Sequence, residues 1–163
     1  MIAYLSLGSN LGDREAYLHA AVSGLRKRGV ELCRSSAVYQ TEPRDVIDQP
    51  WFLNTVLESS TILDPELLLG FCLEIERENH RLRDGTKGPR TLDVDIILYG
   101  SHIIKKDHLV IPHPRYADRR FVLKPLAEIA PALVDPVRGV TILELLAATA
   151  DPAIVEKVAP PLF

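Results

Sequence analysis

Residues 88–100 read GPRTLDVDIILYG, and this stretch places two acids inside an apolar strand. The aliphatic and β-branched composition of residues 92–98 is typical of a buried strand. Side chains two apart in a strand point to the same side, so Asp93 and Asp95 project together, with their backbones about 6 to 7 Å apart. The intervening apolar residues face the other side, which we expect to be the core.

The acid pair needs a counter-charge, because a buried carboxylate without a partner is costly. Two interpretations fit the spacing about equally: acids that are solvated or paired with a nearby cation such as Arg90, or a magnesium site. The preceding segment is rich in cations, which are Arg77, Arg81, Arg83, Lys87 and Arg90. Cations beside a magnesium pair favour a polyphosphate ligand, although the acids interleaved among them could also neutralise them.

Outward from this strand, the chain predicts the element order βαββαβ. Periodicity and turn signals place strands at 2–8, 30–41, 51–61 and 92–98, and helices at 13–28 and from 64 onward. This order is typical of a ferredoxin-like sheet with two helices on one face. Beyond residue 100 we expect a short hairpin and helical segments near 118–129 and 142–150. We therefore predict one α+β domain over residues 1–163, with a ferredoxin-like core, an added C-terminal hairpin and helices, and three αβα layers.

Composition limits the classes of partner and compartment. The 163 residues, 47% of them hydrophobic and 25% charged, suit one globular domain, and a formal charge of −3 argues against nucleic acid or an anionic membrane as partner. No apolar run approaches the roughly 20 residues that cross a bilayer, and the first residues lack a secretory signal pattern. We expect a cytoplasmic monomer whose cysteines, Cys33 and Cys72, are buried free thiols.

Five blocks of sequence resemble a single known family. They are LSLGSNLG at 5–12, DQPWFLN at 48–54, GPRTLDVDI at 88–96, IPHP at 111–114 and RRFVLKPLAEIAP at 119–131. In this order and over nearly the whole chain, they closely resemble 6-hydroxymethyl-7,8-dihydropterin pyrophosphokinase of folate biosynthesis. The resemblance implies a ferredoxin-like αβα fold. It also implies transfer of the terminal pyrophosphate of ATP to the primary alcohol of the pterin, which leaves AMP.

The resemblance further implies a set of site residues. Asp93 and Asp95 would hold two Mg²⁺ ions that bridge ATP and the attacking hydroxyl, while Arg81 and Arg90 balance charge on the transferred group. The implied pterin contacts are the rings of Phe52 and Phe121, the Asn54 amide, and backbone groups around Thr41 and Pro43. The implied nucleotide contacts are Glu76, Arg81, Arg90, Ile96, His113 and Arg119.

The loop at 81–90 is the expected lid over the triphosphate, because its glycines permit motion and its cations need an anion. The chain departs from the family pattern at Thr86 and Lys87, where a basic residue and an aromatic one are common. We expect this substitution to make closure less sealed and more sensitive to salt.

Two other functions fit parts of the sequence. One is a non-catalytic ferredoxin-like module that binds a small ligand or RNA through the arginine-rich loop. The absence of aromatics among those cations and the negative net charge argue against RNA. The other is an ordinary kinase that gives ADP. We predict an ATP-dependent pyrophosphokinase that uses magnesium and two small-molecule substrates, without a nucleic-acid or membrane partner.

Overall fold

The computed structural model describes residues 1–85 and 87–163, which contain eight strands and four α-helices. Thr86 lies outside the described residues. The strands are β1 (Ile2–Ser9), β2 (Glu31–Ser35), β3 (Val38–Thr41), β4 (Phe52–Ser60), β5 (Asp93–Tyr99), β6 (Ile104–Lys105), β7 (Val110–Ile111) and β8 (Val155–Ala159). The helices are α1 (Arg14–Lys27), α2 (Pro65–Glu78), α3 (Arg120–Ile129) and α4 (Ile142–Ala148), with a 3-10 turn at Tyr116–Asp118. The predicted α+β class, the hairpin and the C-terminal helices are confirmed.

The main sheet places the acid pair beside the end of β1. Its strand order is β5-β1-β4-β3-β8, β2 also pairs with β4, and each of these pairings is antiparallel. Gly8 of β1 lies opposite Asp93 on one side and Asn54 on the other, while Ser6 lies opposite Asp95. These registers bring residues from distant parts of the sequence into adjacent rows at one end of the sheet.

The sheet has an apolar cluster on each face. On one face, α1 and α2 pack over side chains that include Leu5 and Val94. On the other, α3 and α4 pack over side chains that include Tyr4 and Ile97. Val94 and its apolar neighbours therefore face the core, as the alternation predicted, and Asp93 and Asp95 face the side that α3 covers.

Each of the two crossover helices begins with an aspartate cap. The Asp13 and Asp64 side chains accept hydrogen bonds from backbone N–H groups in the first turns of α1 and α2. Pro65 is the first residue of α2, where its missing N–H costs no hydrogen bond. These local signals fix where the helices start relative to the strands that carry the site.

Two local expectations need correction, and one strand was missed. The strand predicted over 30–41 is two strands, because the Ser36 hydroxyl accepts a hydrogen bond from the Val56 N–H and interrupts the ladder. Strand β8 was not predicted; it is a short edge strand that pairs only with β3 among the described residues. Cys33 is exposed on β2, whereas Cys72 is buried, and burial raises the pKa of its thiol to about 12.

No helix in the described part of the chain has both the length and the apolar character that crossing a membrane requires.

Candidate active site

One cleft collects most of the residues that the sequence assigned to a site. It lies where the ends of β1, β3, β4 and β5 meet the start of α3. The assigned residues that line it are Thr41, Phe52, Asn54, Arg90, Asp93, Asp95, Arg119 and Phe121. Pro43, Glu76, Arg81, Ile96 and His113 are not among its lining residues. The cleft therefore unites the acid pair with the pocket implied for a flat ring.

The two aspartates have different partners. The Asp93 carboxylate accepts hydrogen bonds from Arg81 Nη1 at 2.9 Å and Arg90 Nη1 at 3.0 Å. Within the described residues, the Asp95 carboxylate has no hydrogen-bond donor, and burial, Asp93 and Glu76 together raise its pKa to about 7. The interpretation of acids paired with cations thus applies to Asp93, whereas Asp95 is left for another partner.

Glu76 supports the acid pair from behind the strand. Its side chain is 1% exposed, accepts a hydrogen bond from the Val94 N–H at 2.9 Å and forms an ion pair with Arg83. Burial is the main cause that raises the pKa of Glu76. Glu76 therefore holds the backbone of β5 between the two aspartates and adds a third acid to their local field.

His113 and Ile96 were assigned to the site but do not line the cleft. The His113 backbone N–H donates to the Ile97 carbonyl at 2.9 Å. Its ring Nδ1 accepts a hydrogen bond from the Arg115 backbone N–H. Burial, with Arg119 and Arg115, lowers the pKa of His113 to about 4, so its imidazole is neutral at pH 7 and Nε2 carries the proton. The Ile96 side chain is buried in the α1 and α2 core, on the face away from the aspartates.

A hydrogen bond fixes the amide in the other half of the cleft. Asn54 Nδ2 donates to Thr41 Oγ1 at 2.6 Å, and both residues are buried. A Cβ on Gly8 would lie 2.7 Å from Asn54 Oδ1, so only glycine leaves room for this amide. Gly8 is a site residue that the sequence analysis missed, although it lies within the LSLGSNLG block.

Each aromatic ring of the cleft lies beside an arginine. Arg90 Cζ is 5.4 Å from the centroid of the Phe52 ring, and Arg119 Cζ is 5.5 Å from that of Phe121. These are cation–π distances. Each ring therefore has a guanidinium group beside it as well as space for a ligand in the cleft.

Asn10 ties the rims of the cleft together. Its Nδ2 donates to Gln49 Oε1 and to the Pro50 carbonyl, and its Oδ1 accepts from the Arg90 N–H at 2.8 Å. Lys87, which the sequence placed in the loop expected over the triphosphate, lines the cleft, but the sequence analysis missed four other lining residues from loops: Glu42, Arg44, Asp45 and Gln49. A loop offers no periodic pattern from which these contacts could be predicted.

A pair of carboxylates on a sheet, ringed by arginines and next to two aromatic rings, describes a class of site suited to a phosphorylated ligand and a flat heterocycle. The chain belongs to the family of 7,8-dihydro-6-hydroxymethylpterin-pyrophosphokinases (HPPK), whose model matches residues 4–131.

Two relatives of similar length are both named 2-amino-4-hydroxy-6-hydroxymethyldihydropteridine pyrophosphokinase. The Methylorubrum extorquens protein is 44% identical over 157 residues, which cover 96% of this chain and 98% of the relative. The Bacillus subtilis protein is 46% identical over 129 residues, which cover 78% of this chain and 77% of the relative. The folic acid synthesis protein fol1 of Pneumocystis carinii is 44% identical over 139 residues, but these cover 85% of this chain and only 19% of that longer protein.

Solved structures share the fold at low identity. HPPK-DHPS in complex with substrates gives a TM-score of 0.69 at 14% identity, over 90% of this chain and 43% of that one. Wild-type Plasmodium falciparum HPPK-DHPS with STZ-DHP gives 0.72 at 16% identity, over 90% and 42%. The chain thus spans less than half of these longer proteins, and the likeness shows the fold alone.

Proposed function

We propose that this chain is an ATP-dependent pyrophosphokinase of folate biosynthesis. It transfers the terminal pyrophosphate of ATP to the hydroxymethyl group of 6-hydroxymethyl-7,8-dihydropterin and releases AMP. Family membership and the names of the two relatives of similar length support this assignment. The observation that carries it is Asp95, a carboxylate without a protein donor in the described structure, beside Asp93 in a cleft with arginines and two aromatic rings. A non-catalytic binding module is not favoured.

Asp93 and Asp95 fit magnesium. Their oxygen donors suit a hard cation, and the field that raises the pKa of Asp95 would be relieved by positive charge. In residues 1–85 and 87–163, no group of three or more His, Cys, Asp or Glu is arranged to hold a metal. Mg²⁺ usually takes one or two carboxylates and completes its shell with water and phosphate, and the two aspartates can supply such carboxylates. We infer that the pair holds two ions, which when bound would offset triphosphate charge and lower the pKa of the alcohol.

The arginines bind and orient the triphosphate in this proposal. Arg81 and Arg90 donate to Asp93 in the structure, and we propose that they turn to the transferred group in the complex. Arg119 lies beside the Phe121 ring, where it can bind a phosphate oxygen. Neutral His113 can donate from Nε2 to the nucleotide. The work of these residues is positioning and electrostatic stabilisation, as in other phosphoryl-type transfers.

The pterin occupies the other half of the cleft in this proposal. The rings of Phe52 and Phe121 enclose its flat bicycle, and the Asn54 amide, held by Thr41, reads its amide edge. Three assigned residues are buried and do not line the cleft: Pro43, Glu76 and Ile96. We propose that Pro43 and Ile96 act through backbone groups, and that Glu76 acts by holding β5.

The core can also be described more finely. If β2 and β3 count as one interrupted strand, the chain follows the split βαβ order with α1 and α2 on one face. We propose that this is a ferredoxin-like core to which β8 adds an edge strand. The cytoplasmic location and the monomeric state stay predictions.

Product analysis tests the function directly. The protein is mixed with ATP, Mg²⁺ and the hydroxymethyl-dihydropterin, and nucleotides and pterins are separated by chromatography. AMP and pterin pyrophosphate in equal amounts support the proposal, and both should vanish without pterin or with a magnesium chelator. ADP with a pterin monophosphate would instead indicate an ordinary kinase. Pterin binding without nucleotide consumption would indicate a binding module.

A further inference from the structure

The segment around β8 supports one wall of the cleft from outside, although it lies beyond residues 4–131 that the family model matches. Thr41 of β3 pairs with Val155 of β8. The next residue, Glu42, donates its N–H to the Ile154 carbonyl at 3.2 Å and accepts the Ile154 N–H on its carboxylate at 2.6 Å. The cleft residues Thr41 and Glu42 are therefore held in place by the C-terminal segment.

Asp151 is the second attachment of this segment. Its Oδ2 lies 2.7 Å from Arg44 Nη1 on the cleft rim, with the side chains 2% and 37% exposed respectively. The same carboxylate accepts from the Arg120 N–H at 2.9 Å and from the Ala153 N–H at 3.0 Å. Because Arg44 also donates to the Asp118 carbonyl, the rim is bonded to both sides of the turn into α3.

These contacts converge on the pterin half of the cleft. Arg120 lies between Arg119 and Phe121 at the start of α3. Through its contacts with the Arg120 N–H and with Arg44, Asp151 therefore joins the start of that helix to the loop that begins at Glu42. The charged half is held differently: Arg90 is fixed by Asn10, and Asp93 and Asp95 by the pairing of β5 with β1. Arg90 and the acid pair thus have supports that do not involve Asp151, whereas Arg119 shares the start of α3 with Phe121.

We propose that Asp151 and Arg44 are positioning residues that set the spacing between Phe121 and the loop wall across the pterin pocket. This inference rests on the proposed function, since it concerns the substrate that the pocket holds. Neither residue is required to touch the reacting atoms. Their loss should weaken pterin binding while leaving ATP binding and the chemical step nearly unchanged.

A matched ion pair elsewhere provides the control. Arg138 Nη1 lies 2.9 Å from Asp135 Oδ2, with the side chains 39% and 0% exposed. Asp135 also accepts from two backbone N–H groups, as Asp151 does. Arg138 is not among the cleft-lining residues. Arg138→Ala therefore removes a comparable ion pair from a residue that does not line the cleft.

The test compares Arg44→Ala, Arg44→Lys and Arg138→Ala with the unaltered chain. Pterin affinity is measured by calorimetry with Mg²⁺ and a non-hydrolysable ATP analogue, together with kcat, both KM values and Tm. Arg44→Ala should raise the Kd and KM for pterin about tenfold, the scale of one charge-assisted hydrogen bond. Arg44→Lys should recover part of this loss, because an ammonium group can still pair with Asp151. Arg138→Ala should lower Tm comparably and leave both pterin constants unchanged.

Other results would overturn the inference. Equal pterin constants in Arg44→Ala and Arg138→Ala would make the Arg44 contact merely structural, and an equal rise in KM for ATP and pterin would refute a pterin-specific role. If either of these results is found while the unaltered chain forms AMP, the proposed function stands and only this inference fails. If the unaltered chain neither binds pterin nor forms AMP, both fail together.

Discussion

Two acids in different regions of the molecule are satisfied in opposite ways. Asp135, in the turn after α3, is fully buried and accepts hydrogen bonds from Tyr116 Oη at 2.6 Å, the Val137 and Arg138 N–H groups, and Arg138 Nη1. Burial opposes ionisation, but these donors hold the pKa of Asp135 below its usual value. Asp95 has no such donors in the described structure, and its pKa is raised to about 7.

The difference separates an acid that stabilises the fold from one that serves a ligand. A carboxylate whose donors come from its own chain is stable as an anion, whereas one placed among other acids gains from an external cation. Asp93 is intermediate, because its donors Arg81 and Arg90 are side chains that can turn to another anion. The cleft therefore holds an unfavourable charge that a metal and a triphosphate can relieve.

The sharpest test of this contrast is Asp95→Asn. We expect turnover to fall at least about 10³-fold, because the variant loses a metal ligand that supplies several kcal/mol of charge stabilisation. The ligand-free protein should keep or raise its Tm, since repulsion with Asp93 is removed. AMP release and thermal melts measure both effects, and Asp93→Asn should lose turnover similarly. Near-normal turnover with Mg²⁺ would remove Asp95 from the proposed metal site.

The next effect concerns the arginine that Asp93 holds. Arg90→Ala should reduce kcat by about 10³-fold, the scale known for arginines that act on a transferring group. ATP binding should weaken far less, because Arg119 and the metal pair remain. Single-turnover kinetics and ATP titrations separate the two, with the exposed Arg34→Ala as control. An equal loss in kcat and in ATP affinity would assign Arg90 to ground-state binding instead.

The parts of the fold that could be predicted from sequence depend on local patterns. Alternation placed Asp93 and Asp95 on one face of β5, and helical periodicity with turn signals placed the starts of α1 and α2 at 13 and 64, one residue before their observed first residues. The break at Ser36 and the pairing of β8 with β3 could not be predicted. Both depend on partners far along the chain, and a single sequence carries no pattern for such pairings.

The candidate site also contains some residues that the sequence could predict and some that it could not. The resemblance named Phe52, Asn54 and Phe121, and the structure brings them into one cleft with the acid pair. Which aspartate the arginines engage was left open by spacing alone, because it depends on how the 81–90 loop lies against β5. The contact between Arg44 and Asp151 joins residues that are 107 positions apart in the sequence. Neither segment carries a motif from which this contact could be predicted.

Replacing Asp135, the acid that stabilises the fold, should reduce stability without removing a ligand site. Asp135→Asn should lower the free energy of unfolding by about 2 kcal/mol, because the Arg138 and Tyr116 contacts lose a charged acceptor. Urea unfolding measures this change, and Tyr116→Phe should reproduce a smaller part of it. A change below about 0.5 kcal/mol, the size of an ordinary surface substitution, would show that donors do not make Asp135 stabilising.

The pH dependence of stability should differ in sign between the two acids. Burial and the neighbouring acids raise the pKa of Asp95 from 3.8 to about 7, so between these values the folded state keeps a proton that the unfolded state has released. Stability from this group therefore falls as pH rises from about 4 to about 7, by about 1 to 2 kcal/mol after allowance for screening. Asp135, with its lowered pKa, instead loses stability as pH falls.

Urea unfolding of the metal-free protein and of Asp95→Asn across this pH range isolates the Asp95 contribution. The unaltered chain should become less stable relative to the variant as pH rises, and Mg²⁺ should reverse the trend by favouring the ionised carboxylate. Curves that stay parallel from acid to neutral pH would show that Asp95 ionises normally, and the contrast with Asp135 would disappear.

The smallest expected effect concerns the ion pair at the mouth of the cleft. Lys87 Nζ lies 3.5 Å from Asp45 Oδ1, with the side chains 56% and 40% exposed, so water and salt screen the pair. If it helps to hold the two loops together over ligands, Lys87→Ala should speed ATP release about twofold at low ionic strength and leave it unchanged near about 0.5 M salt. Lys157→Ala is a matched control, because Lys157 lies 3.5 Å from Glu128 and is 58% exposed. Stopped-flow displacement of a fluorescent ATP analogue measures the release rate in each variant. An acceleration that persists at high salt would mean that Lys87 acts through packing, and the contact would then belong with the internally satisfied groups that Asp135 represents.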